Sequence, residues 1–145
     1  MSEARRHRIV AWWSVAVFAI AFGSNFVWEM AQSYLYESMG SAWEATRRCL
    51  VASVGDGALV LMVLTSIRVL AGRASVERQH ALAVMFAIVV AIAVEAWGLS
   101  QGRWAYLRAM PRVPGTTVGI VPLMQMAIVT PATMWLADRM TGRRA

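Results

Sequence analysis

The sequence has no lysine, one cysteine and two histidines, and its charged residues make up only 15% of 145 positions. Each shortage excludes something. Without lysine there is no Schiff-base chemistry, and so no retinal-type pigment linkage. A lone Cys49 permits no internal disulfide. His7 and His80 stand far apart, and no histidine or cysteine cluster has metal-ligand spacing. There is no phosphate-cradling glycine loop and no G-x-S-x-G elbow. A soluble domain carries roughly 25% charged residues. Here the deficit is made up by apolar residues, 59% of the chain, gathered in blocks. Blocks of this kind are spans in lipid.

Four such blocks are present, at about 9–36, 48–70, 79–102 and 117–140. Each is more than twenty residues long and mostly apolar, enough for a hydrocarbon core ~30 Å thick. The predicted fold is an all-α integral membrane protein, one transmembrane domain made of a four-helix bundle. Trp12 and Trp13 at one end of the first span, and Tyr34 and Tyr36 at the other, read as an aromatic belt. The opening run after Arg5, Arg6 and Arg8 is long for a signal peptide and is followed by Glu29 and Gln32, so it is read as a retained span.

All fourteen basic residues are arginine, and the net charge is +6. Nine of them (Arg5, Arg6, Arg8, Arg68, Arg73, Arg78, Arg139, Arg143, Arg144) belong to the two termini and the middle loop, against five in the other two loops. The positive-inside rule then sets both termini in the cytoplasm, with a bacterial cytoplasmic (inner) membrane as the expected location. Arginines at span ends do not form the single basic face that nucleic acid requires, so no nucleic-acid partner is expected.

The second outer loop, 103–116, is long and irregular, with Pro111, Pro114 and Gly115 among its residues. It reads either as a cap over the bundle mouth or as an interfacial connector. Glu37–Ala45 reads as a short polar loop.

The residues that carry chemistry are the few polar ones inside spans. Asn25, Glu29 and Gln32 stand at i, i+4 and i+7 and so share a helix face. Asp56 lies in the second span between Gly55 and Gly57, Glu95 in the third, and Gln125 in the fourth. A carboxylate within a span costs at least ~2.5 kcal/mol on insertion scales and is a functional-site hypothesis by default. Counted inward from the outer span ends at ~1.5 Å per residue, Glu29, Asp56, Glu95 and Gln125 all fall roughly 7–12 Å deep. Neighbouring antiparallel spans can therefore bring them to one layer. Ala91, Glu95, Gly98 and Gly102 share a stripe of the third span whose small residues allow close helix approach. Pro122 and Pro131 are expected to open the fourth helix near Gln125.

Three carboxylates close together cannot all ionise cheaply, which leaves three arrangements. One can hold a proton and act as a general acid beside an ionised neighbour. A cation can sit among them, with Asn25, Gln32 and Gln125 as neutral ligands. Or Arg47, Arg48 and Arg103 can reach in from the rim and pair with them. Glu29, Asp56 and Glu95 are the acid–base candidates; Asn25, Gln32, Gln125, Arg103 and Trp104 are the ligand-binding candidates. No metal site is expected, and no cofactor is specified.

In layout the chain resembles small four-helix sterol isomerase-like membrane proteins, which use intramembrane carboxylates on a lipid. No motif aligns, and no residue is carried across. Three functional expectations follow: an acidic site binding a lipid-like or cationic small molecule; an accessory subunit of a larger membrane complex; or proton or cation translocation by a homo-oligomer.

Overall fold

In the computed structural model, which describes residues 3–142, four helices account for most of the chain. They are α1 (Glu3–Gln32), α2 (Ala42–Ala71), α3 (Val76–Ser100) and α4 (Ile120–Met140), with a 3-10 turn at Ser33–Leu35 after α1. All four are long and apolar enough to cross a membrane, and less than half of each apolar stretch is buried inside the bundle. The remainder, including Val15, Val27, Val51, Val69, Val89 and Ile128, is exposed. A bundle whose outer surface is this apolar has the surface that lipid requires.

The helices form a four-cornered bundle. α1 packs against α2 and α4, and α3 against α4 and α2. Small residues set the close approaches. A Cβ at Gly57 would stand 3.3 Å from Phe18 and 3.4 Å from the backbone of Phe22, so this glycine lets α1 lie against α2 beside Asp56. On α3, Ala83, Ala87, Ala91, Glu95 and Gly98 form the buried stripe. The main core joins Trp13, Val17 and Ala21 of α1 with Val60, Leu64 and Ile67 of α2, the α3 alanines, and Met126, Met134 and Ala137 of α4.

Several boundaries differ from the sequence reading. α2 starts at Ala42, six residues before the expected 48, because Ser41 and Glu44 form a reciprocal capping box. The Glu44 carboxylate accepts from the Ser41 amide at 2.7 Å, and the Ser41 hydroxyl accepts from the Glu44 amide at 3.3 Å. Arg47 and Arg48 are therefore helical, and the connecting segment shrinks to residues 36–41. α3 begins three residues early for a related reason, Ser75 being its N-cap. Gly102 is not part of the α3 stripe: it follows the helix end with φ +61. Pro122 does not open α4, because it falls in the first turn, where the helix leaves amides without intrahelical acceptors anyway. Pro131 lies within the helix, which continues through it.

The end of the bundle opposite the termini is closed by backbone pairing. Glu37 N–H donates to Ala105 O at 2.9 Å and Leu107 N–H to Leu35 O at 3.0 Å, making an antiparallel bridge between Tyr36 and Tyr106. A second bridge joins Arg112 to Gly119. Leu35, Tyr106 and Met110 form a small core beneath, packed on by Leu99, Trp104 and Val121. The 103–116 segment is thus a cap built over the bundle mouth.

At the terminal end, Asp138 of α4 ties three helices together. It accepts from Trp13 Nε1 at 2.9 Å and pairs with Arg68, whose guanidinium lies 3.8 Å above the Trp13 ring. Trp13 is therefore turned inward and is no belt residue, while Trp12 is exposed. Arg143 and Arg144, counted in the charge bias, lie outside the described residues, as do the side chains of Arg5 and Arg6.

Candidate functional site

The polar residues of the spans meet at the capped end. Gln125 of α4 is the hub. Its Nε2 donates to Asn25 Oδ1 at 2.9 Å and to Asp56 Oδ2 at 3.3 Å, and its Oε1 accepts from Gln32 Nε2 at 3.0 Å. Gln32 Nε2 also donates to Glu29 Oε1 at 2.8 Å. Three helices are laced by one amide, and the i, i+4, i+7 face of α1 supplies three of the members. Asn25, Gln32 and Gln125 are buried, as polar groups with partners can be.

Beside this network lies a cavity of about 690 Å³. Glu29, Asp56 and Glu95 line it from α1, α2 and α3. Arg47 and Arg48 of α2, together with Arg103 and Trp104 of the cap, line it as well, along with Tyr36 and Cys49. On the side between α2 and α3 its wall includes the exposed Val51 and the half-buried Val94, so it is open there.

Local structure explains how the cap residues arrive. After α3 the chain turns through Gly102, with Arg103 N–H donating to Gly98 O at 2.9 Å and Gly102 N–H to Leu99 O at 3.1 Å. This crossed pair around a left-handed glycine is the Schellman ending. It folds the chain back so that the Trp104 ring lies directly on Gly98, where a Cβ would stand 2.0 Å from it. Glu95 is one turn away. The Trp104 indole approaches the Glu95 carboxylate, yet Trp104 Nε1 and Glu95 Oε2 are both buried without a hydrogen-bond partner. Arg103 extends over the Trp97 ring at 4.9 Å. Burial raises the Tyr36 hydroxyl above its ordinary pKa, and Glu29, Glu95 and Asp56 add to the effect, so this phenol is neutral.

The predicted site residues therefore divide. Glu29, Asp56, Glu95, Arg103 and Trp104 face one cavity. Asn25, Gln32 and Gln125 stand behind its wall and hold Glu29 and Asp56 in place. Among the described residues, no ion pair joins Arg47, Arg48 or Arg103 to the three carboxylates. No group of three or more His, Cys, Asp or Glu residues among them is arranged to hold a metal ion. Tyr36 and Cys49, neither of them a candidate on sequence grounds, also line the cavity. Sequence reasoning also missed Asp138, which looks like an ordinary end-of-helix charge in a sequence.

Comparison with family models, curated proteins and solved structures found no match. The likeness to sterol isomerase-like proteins stays one of layout.

Proposed function

We propose that this is an integral protein of a bacterial cytoplasmic membrane, with both termini cytoplasmic, whose capped end binds a lipid-like or cationic small molecule at an acidic intramembrane site. One observation carries the reading: carboxylates from three different helices line a single cavity of about 690 Å³. That volume is within the ~300–1,000 Å³ range of small-molecule sites. Placing three carboxylates beside each other within apolar helices is costly for a bundle that needs them only as glue. Conversion of the ligand would be acid–base chemistry. Glu29 and Asp56 are held by Gln32 and Gln125, which suits them to stabilise charge. Glu95, with one oxygen unmatched, is the candidate proton carrier, and Tyr36 a neutral hydroxyl donor. No soft or redox chemistry is called on.

Translocation by a single chain is disfavoured by the core below the network, where Val17, Ala21, Val60, Leu64 and Ala87 fill the bundle axis. An accessory-subunit role is the competing outcome of the test.

The test is native mass spectrometry with an absorbance scan on protein extracted in mild detergent, wild type against Glu29→Gln/Asp56→Asn/Glu95→Gln. A bound molecule in the wild type that is absent from the folded triple variant supports the proposal. An empty wild type that instead carries a protein partner overturns it in favour of a subunit role.

A further inference from the structure

We propose that the ligand is a zwitterionic phospholipid headgroup, its ammonium seated among Glu29, Asp56 and Glu95 and its phosphate held by Arg47, Arg48 and Arg103. The inference rests on the cavity being a ligand site, as above, and names the class of molecule that fits it.

The cavity presents both signs of charge, and in order. On α2, Arg48, Ala52 and Asp56 all line it. They stand at i, i+4 and i+8, one helix face, so the arginine end and the carboxylate end are about 12 Å apart along the axis, less the reach of the side chains. Cap residue Arg103 lines the same cavity, and Glu95 enters from α3. Glu95 is only 7% exposed, and its Oε2 lacks a hydrogen-bond partner. A carboxylate has about four acceptor sites, so the Trp104 indole beside it leaves room for a further donor. The rings of Tyr36 and Trp104 also line the cavity. Carboxylates together with aromatic faces are the chemistry that recognises ammonium groups. Guanidinium forks are the chemistry that recognises phosphate. Among the described residues, Arg47 and Arg48 make no ion pair with a carboxylate of the chain.

Ligands of one charge use half of this. A simple amine leaves the arginines facing a like charge, and a simple phosphate meets three carboxylates. A headgroup carrying both, entering from the side between α2 and α3, sends its terminal ammonium deepest. Its phosphate then stays near the arginines, and its acyl chains lie against Val51 and Val94 on the open side.

The experiment uses the full chain, delipidated in mild detergent. It is incubated separately with a diacyl phosphatidylethanolamine, a diacyl phosphatidylglycerol and a long-chain primary alkylamine. Retention is read by native mass spectrometry and by the shift in thermal midpoint. The expected result is retention of the ethanolamine lipid about tenfold above the glycerol lipid, the order that one lost charge-assisted contact produces. Arg47→Gln/Arg48→Gln lowers ethanolamine-lipid retention while the alkylamine still binds; Glu95→Gln lowers both. Far-ultraviolet circular dichroism confirms that each variant is folded. Equal retention of the two phospholipids overturns the ammonium assignment. Retention of the alkylamine alone overturns the zwitterionic inference but leaves the acidic site standing. Retention of none of the three overturns both.

Discussion

The side-chain amide of Gln125 on α4 donates to the Asp56 carboxylate on α2 across 3.3 Å. The same amide also holds Asn25 and Gln32, so one residue locks three helices at the depth of the cavity floor. Interhelical hydrogen bonds in membranes average about 0.6 kcal/mol each. Gln125→Leu removes three and leaves buried partners unmatched, so it is expected to destabilise the fold by about 2 kcal/mol. Thermal unfolding in detergent measures this. Met124→Leu is the control: its neighbouring side chain is exposed, and a change within about 0.5 kcal/mol is expected.

The opposite end is held by Asp138, Arg68 and Trp13. Removing one partner of a mostly buried pair strands the other, at a cost of about 3 kcal/mol. Arg68→Met is expected to lower the unfolding midpoint far more than Arg78→Met, whose side chain is exposed. A double-mutant cycle of Arg68→Met and Asp138→Asn should show coupling of more than about 1 kcal/mol. Purely additive effects would show that the pair contributes nothing to the bundle.

The cap is positioned by contact between Trp104 and Gly98. Gly98→Ala puts a methyl group where the Trp104 ring lies, so the ring must leave and the cavity opens. Alkylation of Cys49, which is buried and lines the cavity, is expected to quicken several-fold. Gly23→Ala is the contrast. A Cβ there meets nothing within 4 Å, and helix propensity alone makes that change stabilising by up to about 1 kcal/mol. Its Cys49 rate should match the wild type.

The proposed orientation rests on the arginine bias. A cysteine placed at Ser38, in the connection at the capped end, is expected to react with an impermeant maleimide added outside intact cells. One placed at Ala74, between α2 and α3, is expected to react only after permeabilisation. The reverse pattern would invert the topology.

Much of this architecture is legible in the sequence. Four apolar blocks can satisfy their backbone in lipid only as helices. The spacing of Asn25, Glu29 and Gln32 fixed a common face, and similar depths from the span ends brought Asp56 and Gln125 to it. The first turn of α2 falls outside the apolar block because Glu44, Thr46 and Arg47 interrupt it, although Ser41 and Glu44 spell a capping box. The role of residues 103–116 is not legible in the sequence, because pairing of Tyr36 with Tyr106 is a backbone event with no periodicity. The division of the site into cavity-facing acids and buried amides depends on side-chain direction across helices, which spacing within one helix cannot give. Asp138 was overlooked because a charge near a helix end reads as solvated until a neighbour covers it.

The central claim is that a molecule occupies the acid-lined cavity, and protection of a cysteine inside it tests that most directly. Ala52 is exposed and lines the cavity between Arg48 and Asp56, so the single cysteine is moved there with Cys49→Ala/Ala52→Cys. Its alkylation rate is measured with and without a long-chain alkylamine, with acids intact and with Glu29→Gln/Asp56→Asn/Glu95→Gln added. The account predicts slowing of about tenfold or more on the intact background at ligand concentrations well above the dissociation constant, and none on the neutralised one. Equal rates with and without ligand on both backgrounds would contradict it.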